Sequence, residues 1–254
     1  MSSRLGGAAA LESRLRGPGT SIVPYLTGGY PTMAVFGEAL DALSGSEAIE
    51  IGIPFSDPMA DGATIQESSR VALEAGVSLD SILTKIQSLG GVGSELIVMS
   101  YLNPLMSFGY EDLLPRLAAC GVAALVVPDL PLEESGELGA HSREHGIGLV
   151  QLVSPVTSQE RLEMLGKASE GFTYAVTMTG TTGGTIGGGE EVTGYLDRVR
   201  ASSRPPVLAG FGVRTAEQVR ALGPHCDGVI VGSALVEVIA AGQDPVAFVA
   251  GLKP

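Results

Sequence analysis

The chain has little with which to hold a metal, a disulfide framework or a polyanion. Its 254 residues carry two cysteines (Cys120 and Cys226), three histidines, and 15 Lys and Arg against 28 Asp and Glu, for a net charge of −13. Two distant cysteines argue against a disulfide framework and for a reducing cytoplasm. The negative charge argues against nucleic acid or an anionic membrane as partner. It also requires any bound phosphate to be held locally, by backbone N–H groups and helix N-termini. The lysines are Lys85, Lys167 and Lys253, all in predicted helices or the tail, so no strand-end lysine is available for a Schiff base. His141 and His145 share the segment HSREH, a reversed zinc-peptidase spacing. It reads as an ordinary surface helix with no third ligand, and no metal is expected. No apolar run approaches the roughly 18 residues of a membrane span. Glu12, Arg14 and Arg16 interrupt the N-terminal stretch where a signal peptide would need an apolar core.

What is present is a sizeable core, 44% hydrophobic residues with a mean hydropathy of +0.30. Short apolar runs read as strands at 21–29, 48–53, 95–100, 122–127, 146–153, 172–176, 206–210 and 227–232. Helical periodicity fills 8–16, 33–44, 64–75, 79–89, 110–119, 132–145, 158–168, 191–201, 215–222, 233–240 and 244–251. Strands alternating with helices indicate parallel βα units. Eight of them in about 250 residues match one (β/α)₈ barrel domain spanning 1–254, with a short N-terminal helix and an extra short helix near the place where such barrels bind phosphate. A doubly wound sheet would more often use five to seven strands.

Residues 48–66, AIEIGIPFSDPMADGATIQ, carry the chemistry. In the predicted strand Ile49, Ile51 and Ile53 share one face, and Ala48, Glu50 and Gly52 the other. An unpaired carboxylate inside a sheet costs several kcal/mol, roughly, so Glu50 is a poor choice for packing alone. The loop beyond Pro54 delivers Asp61, and Thr64 is the expected cap of the next helix. The competing reading is a structural acid with a polar partner and a turn aspartate. Barrel enzymes place catalysis at the C-terminal ends of their strands, where Glu50, Asp61, Tyr101, Asp129 and Tyr174 all fall. Glycine clusters follow strands 6, 7 and 8: Gly180–Gly189, Gly210-Phe211-Gly212 and Gly232-Ser233. The last two occupy the loops that often form a barrel's phosphate site, which points to a phosphorylated small molecule.

The segment EIGIPFSDPMADGATIQ closely resembles the signature of the tryptophan synthase alpha chain family. The similarity continues in order through IVPYLTGGYP, SYLNPL, VVPDLPLEE, GFTYAV, TGTTGG, GFGV and VGSALV, over nearly the whole chain. The resemblance implies a lyase of tryptophan biosynthesis that cleaves indole-3-glycerol phosphate to indole and glyceraldehyde 3-phosphate. It implies no cofactor in this chain, and an α2β2 complex in the cytoplasm whose beta chain carries pyridoxal phosphate. Glu50 and Asp61 match the catalytic acids, Glu50 donating and accepting protons and Asp61 holding the indole N–H. Burial is expected to raise the pKa of Glu50 toward neutrality, with Asp61 staying ionised. Tyr101 and Tyr174 match substrate-site positions, Tyr25 stands where a Phe often packs on the substrate, Thr182 matches a loop Thr that closes over the Asp, and Asp129 joins them by its place at a strand end. Gly183, Gly212, Gly232 and Ser233 match phosphate-binding positions, and Asp57-Pro58 a loop facing the beta chain.

Met178, where some members carry Arg, and the glycine-rich segment 183–192 depart from the family pattern. They predict a loop that closes poorly without a partner. Two alternatives remain: a stand-alone lyase that releases free indole, and a weakly active subunit that mainly activates a beta partner.

Overall fold

The computed structural model of the chain describes residues 7–177, 190–210 and 212–253. Eight parallel strands among them close into a barrel in chain order: β1 Ser21–Thr27, β2 Ala48–Gly52, β3 Glu95–Met99, β4 Val122–Val126, β5 Gly148–Val153, β6 Thr173–Val176, β7 Val207–Gly210 and β8 Gly228–Val231. The last strand returns to the first with Ser21 opposite Gly228. The strand alternation read from the sequence becomes inside and outside. Ile49 and Ile51 join the outer apolar layer beneath the helices. Val23, Tyr25, Ala48, Ile97, Met99, Val126, Val150, Tyr174, Leu208 and Ile230 fill the barrel. The first helix, α1 (Ala8–Leu15), adds Leu11 and Leu15 to that interior cluster as a plug.

The remaining helices are α2 Met33–Ala42, α3 Ala63–Glu74, α4 Leu79–Ser88, α5 Leu102–Phe108, α6 Tyr110–Ala119, α7 Gly136–Glu144, α8 Gln159–Ala168, α9 Glu190–Ser202, α10 Ala216–Leu222, α11 Ser233–Ala240 and α12 Pro245–Leu252. Local chemistry starts several of them. Thr32 and Ser158 cap α2 and α8, Ser78 with Ser81 and Thr215 with Gln218 form capping boxes, and Asp244 precedes Pro245 at α12.

Two sequence readings need correction. Thr64 does not cap α3: Gly62 stands at the cap in extended conformation, and Thr64 lies inside the first turn. Its hydroxyl instead donates to Glu237 Oε1 at 3.2 Å. Residues 102–108, which belong to no predicted element between the strand at 95–100 and the helix at 110–119, form a helix. Pro104 sits in the first turn, where its missing N–H has no intrahelical acceptor to lose. The Leu102 N–H is satisfied by Asp129 from the next βα loop, at 2.9 Å to Oδ1 and 3.2 Å to Oδ2.

Candidate active site

Of the chain's 28 acidic residues, two are buried among the described residues, Glu50 at 0% and Asp61 at 9% exposure. Strand register puts Glu50 between Tyr25 of β1 and Ile97 of β3 on the inner wall. Neither carboxylate oxygen of Glu50 has a hydrogen-bond partner among the described residues. A structural acid would need one, so the reading of Glu50 as a packing residue loses its main support. Burial, followed by the nearby charge of Asp61, raises its pKa from 4.5 to about 8. At neutral pH Glu50 is therefore protonated and able to donate.

Asp61 is held differently. Tyr101 donates its phenolic hydrogen to Asp61 Oδ2 at 3.2 Å, and the same phenol oxygen accepts the Ala60 N–H at 2.9 Å. Gln66 Nε2 fixes the Asp61 carbonyl at 2.8 Å. Burial raises the pKa of Asp61 and the Tyr101 bond opposes that rise. Tyr101 itself, stacked on Phe55 with ring centroids 5.0 Å apart, is pushed up to about 12, chiefly by burial, and stays a donor. One carboxyl is thus desolvated without a partner and the other is hydrogen-bonded, the asymmetry that separates an acid from an ionised stabiliser.

Tyr25, Asp61, Gly62, Ile65, Met99, Tyr174, Gly212, Ile230, Gly232 and Ser233 line a cavity at the C-terminal mouth of the barrel. Two inward glycines make room for its tyrosines. A Cβ on Gly52 would lie 1.9 Å from the Tyr25 hydroxyl oxygen, and one on Gly210 would lie 2.3 Å from the Tyr174 ring. Both phenols have pKa values raised well above the usual 10.0, first by burial. The N-termini of α3 and α11 open on this cavity through Gly62 and Gly232. Neither has a side-chain cap among the described residues, which leaves first-turn N–H groups for a ligand anion.

Most of the site anticipated from sequence therefore converges. Tyr25, Asp61, Tyr174, Gly212, Gly232 and Ser233 line the cavity, Glu50 stands level with Tyr25 on the same wall, and Tyr101 reaches it through Asp61. Asp129 lines a separate depression with Pro128 and Arg161 and turns its carboxylate on Leu102 N. Asp57 is exposed and accepts from Ser56 Oγ at 2.5 Å, and Pro58 lines an outer depression with Phe55 and Arg70. Met178, Thr182, Gly183 and the segment 183–189 lie outside the described residues. Sequence reasoning missed Gly62, Ile65, Met99 and Ile230. For Met99 and Ile230 the signal was available, since each is an inward position by strand alternation.

A desolvated carboxyl and a hydrogen-bonded one near the C-terminal mouth of a (β/α)₈ barrel are the arrangement of groups that acid–base chemistry requires. The family model described as "Tryptophan synthase alpha chain" matches residues 13–251, and the chain belongs to that family. The alpha chains of Carboxydothermus hydrogenoformans and Desulfovibrio desulfuricans are 40% and 39% identical to it. These matches cover 93% and 96% of this chain and 89% and 99% of theirs. Among solved structures, Mycobacterium tuberculosis tryptophan synthase superposes with a TM-score of 0.85 at 34% identity, over 96% of this chain and 94% of that one. The tryptophan synthase a2b2 complex of Pyrococcus furiosus gives 0.85 at 36% identity, over 92% and 98%. The activity is that of the family, a lyase cleavage of indole-3-glycerol phosphate to indole and glyceraldehyde 3-phosphate in tryptophan biosynthesis.

Proposed function

We propose that Glu50 is the proton donor and acceptor of this cleavage and Asp61 its electrostatic partner. The observation that carries the assignment is the unpartnered, buried carboxyl of Glu50 with its pKa at about 8. The neutral acid donates its proton to indole C3, and the ring becomes a cation. Ionised Asp61 accepts a hydrogen bond from the indole N–H and stabilises that charge. The Glu50 carboxylate then takes the proton of the glycerol C3′ hydroxyl. The C3–C3′ bond breaks, its electrons return to the ring, and the C3′ oxygen becomes the aldehyde. Each role is worth about 10²–10⁴-fold in rate.

In the same reading Tyr25 and Tyr174 hold the ring. The phosphate sits against Gly212, Gly232 and Ser233. The uncapped helix N-termini support this placement. The partner is a tryptophan synthase beta chain in an α2β2 assembly in the cytoplasm, with pyridoxal phosphate confined to that partner. The C-terminal rim supports docking there: Met59 beside Asp57 and Pro58, Met106 on α5, and Val156 beyond β5 are 76%, 59% and 82% exposed.

The test is indole release from indole-3-glycerol phosphate by the unaltered enzyme, Glu50→Gln and Asp61→Asn, each with and without a beta chain. Weak activity alone, strong activation by the partner and loss in both variants are expected. Strong activity alone would favour a stand-alone lyase. Full activity in either variant would remove that acid from its role.

A further inference from the structure

Three pieces of backbone frame the anion end of the cavity: the loop carrying Asp61 and Gly62, the loop after β7 with Gly212, and the start of α11 with Gly232 and Ser233. One side chain outside the cavity, Glu237, links residues that follow each of the three. Glu237 belongs to α11, four residues after Ser233 and so on the same helix face. Its Oε1 accepts from the hydroxyl of Thr64, three residues beyond Asp61, at 3.2 Å. Its Oε2 accepts from Nη2 of Arg214, two residues beyond Gly212. The Arg214 backbone N–H is in turn held by Gln218 Oε1 at 2.7 Å.

We propose that Glu237 is a positioning residue that ties the Asp61 loop to the phosphate cradle, so that anchoring the phosphate also sets where Asp61 meets the ring. The proposal rests on the reading of Asp61 and the glycine cradle given above. Glu237 and Arg214 are about half exposed, at 45% and 43% of their side chains. An exposed pair of this kind shifts an equilibrium by a factor of at most about five, so it adds little to global stability. What it does fix is the relative placement of two short segments whose alignment decides the reaction geometry. Arg214 has a second effect, since its guanidinium neutralises a carboxylate one helical turn from Ser233 and offsets its repulsion of a bound phosphate dianion.

The experiment measures indole release with the beta chain present for Thr64→Val, Glu237→Ala and the double variant. Each single change is expected to lower kcat about three- to fivefold, with KM within about twofold and Tm within about 2 °C. The double variant should lose no more than either single, because both changes cut one tie. Arg214→Gln should instead raise the inhibition constant of glycerol 3-phosphate at least about threefold. Unchanged kcat in the singles, multiplicative losses in the double, or a fall in Tm large enough to explain the lost rate would each overturn the proposal. Asp61→Asn belongs in the same series: full activity there would overturn the site reading itself, a result distinguishable from failure of the tie alone.

Discussion

Tyr101 donates to Oδ2 of Asp61 at 3.2 Å while its phenol oxygen accepts the Ala60 N–H at 2.9 Å, so one hydroxyl fixes both the acid and its loop. The bond favours the ionised carboxylate and opposes the rise that burial imposes on its pKa. Tyr101→Phe removes it and leaves the Ala60 N–H without an acceptor. We expect kcat/KM at pH 7 to fall about 10- to 100-fold, with the acidic limb of the pH profile moved upward. A profile whose acidic limb stays in place would show that Tyr101 does not govern Asp61.

Glu50 also leaves a signature in stability. The unfolded chain releases its proton near 4.5, whereas the folded protein holds it to about 8. Between those values the folded state binds more protons, so raising the pH through this window destabilises it, by up to about 1.4 kcal/mol per unit. Asp61, also raised, contributes in the same direction. Glu50→Gln removes the larger share, and its urea midpoint should fall less between pH 5.5 and pH 8 than that of the unaltered enzyme. Parallel curves for the two proteins would mean that Glu50 titrates normally in the fold.

The inward glycines set the shape of the slot. Gly52→Ala places a methyl 1.9 Å from the Tyr25 oxygen, and Gly210→Ala places one 2.3 Å from the Tyr174 ring. Each ring must shift, at a cost of about 1–3 kcal/mol in stability, and the substrate face of the cavity shifts with it. Thermal unfolding and KM measured together should show both effects. Gly45→Ala, with no atom within 4 Å of its Cβ, is the control and should change neither. Wild-type KM in Gly52→Ala would show that Tyr25 does not shape the binding slot.

The barrel was legible because its signals are local. In β2 the alternation of Ile49 and Ile51 with Ala48, Glu50 and Gly52 names the face, and the Gly232-Ser233 turn marks the start of α11. Glu50 stood out because a carboxylate on an apolar strand is costly, whatever the fold. What escaped depends on contacts across the chain. Residues 102–108 were assigned no helix from the sequence, because the group that accepts from Leu102 lies 27 residues away in Asp129. Thr64 read as a cap because its partner, Glu237, is 173 positions distant. Gly62 and Ile65 were missed for a related reason, since nothing local shows that the first turn of α3 folds over the mouth of the barrel.

Asp129 marks the boundary between strand-end position and site membership. Its place after β4 suits a substrate ligand, but its carboxylate already accepts from the N–H that begins α5. If capping is its whole task, Asp129→Ala should cost about 1 kcal/mol of stability, the ordinary loss for a missing cap. Asp129→Asn, which keeps an acceptor oxygen, should recover most of that loss. In both variants KM for indole-3-glycerol phosphate should stay within about twofold. A rise in KM of tenfold or more in Asp129→Asn, with stability intact, would instead return Asp129 to the substrate, because only a ligand of the substrate would register the lost charge while the helix stayed capped.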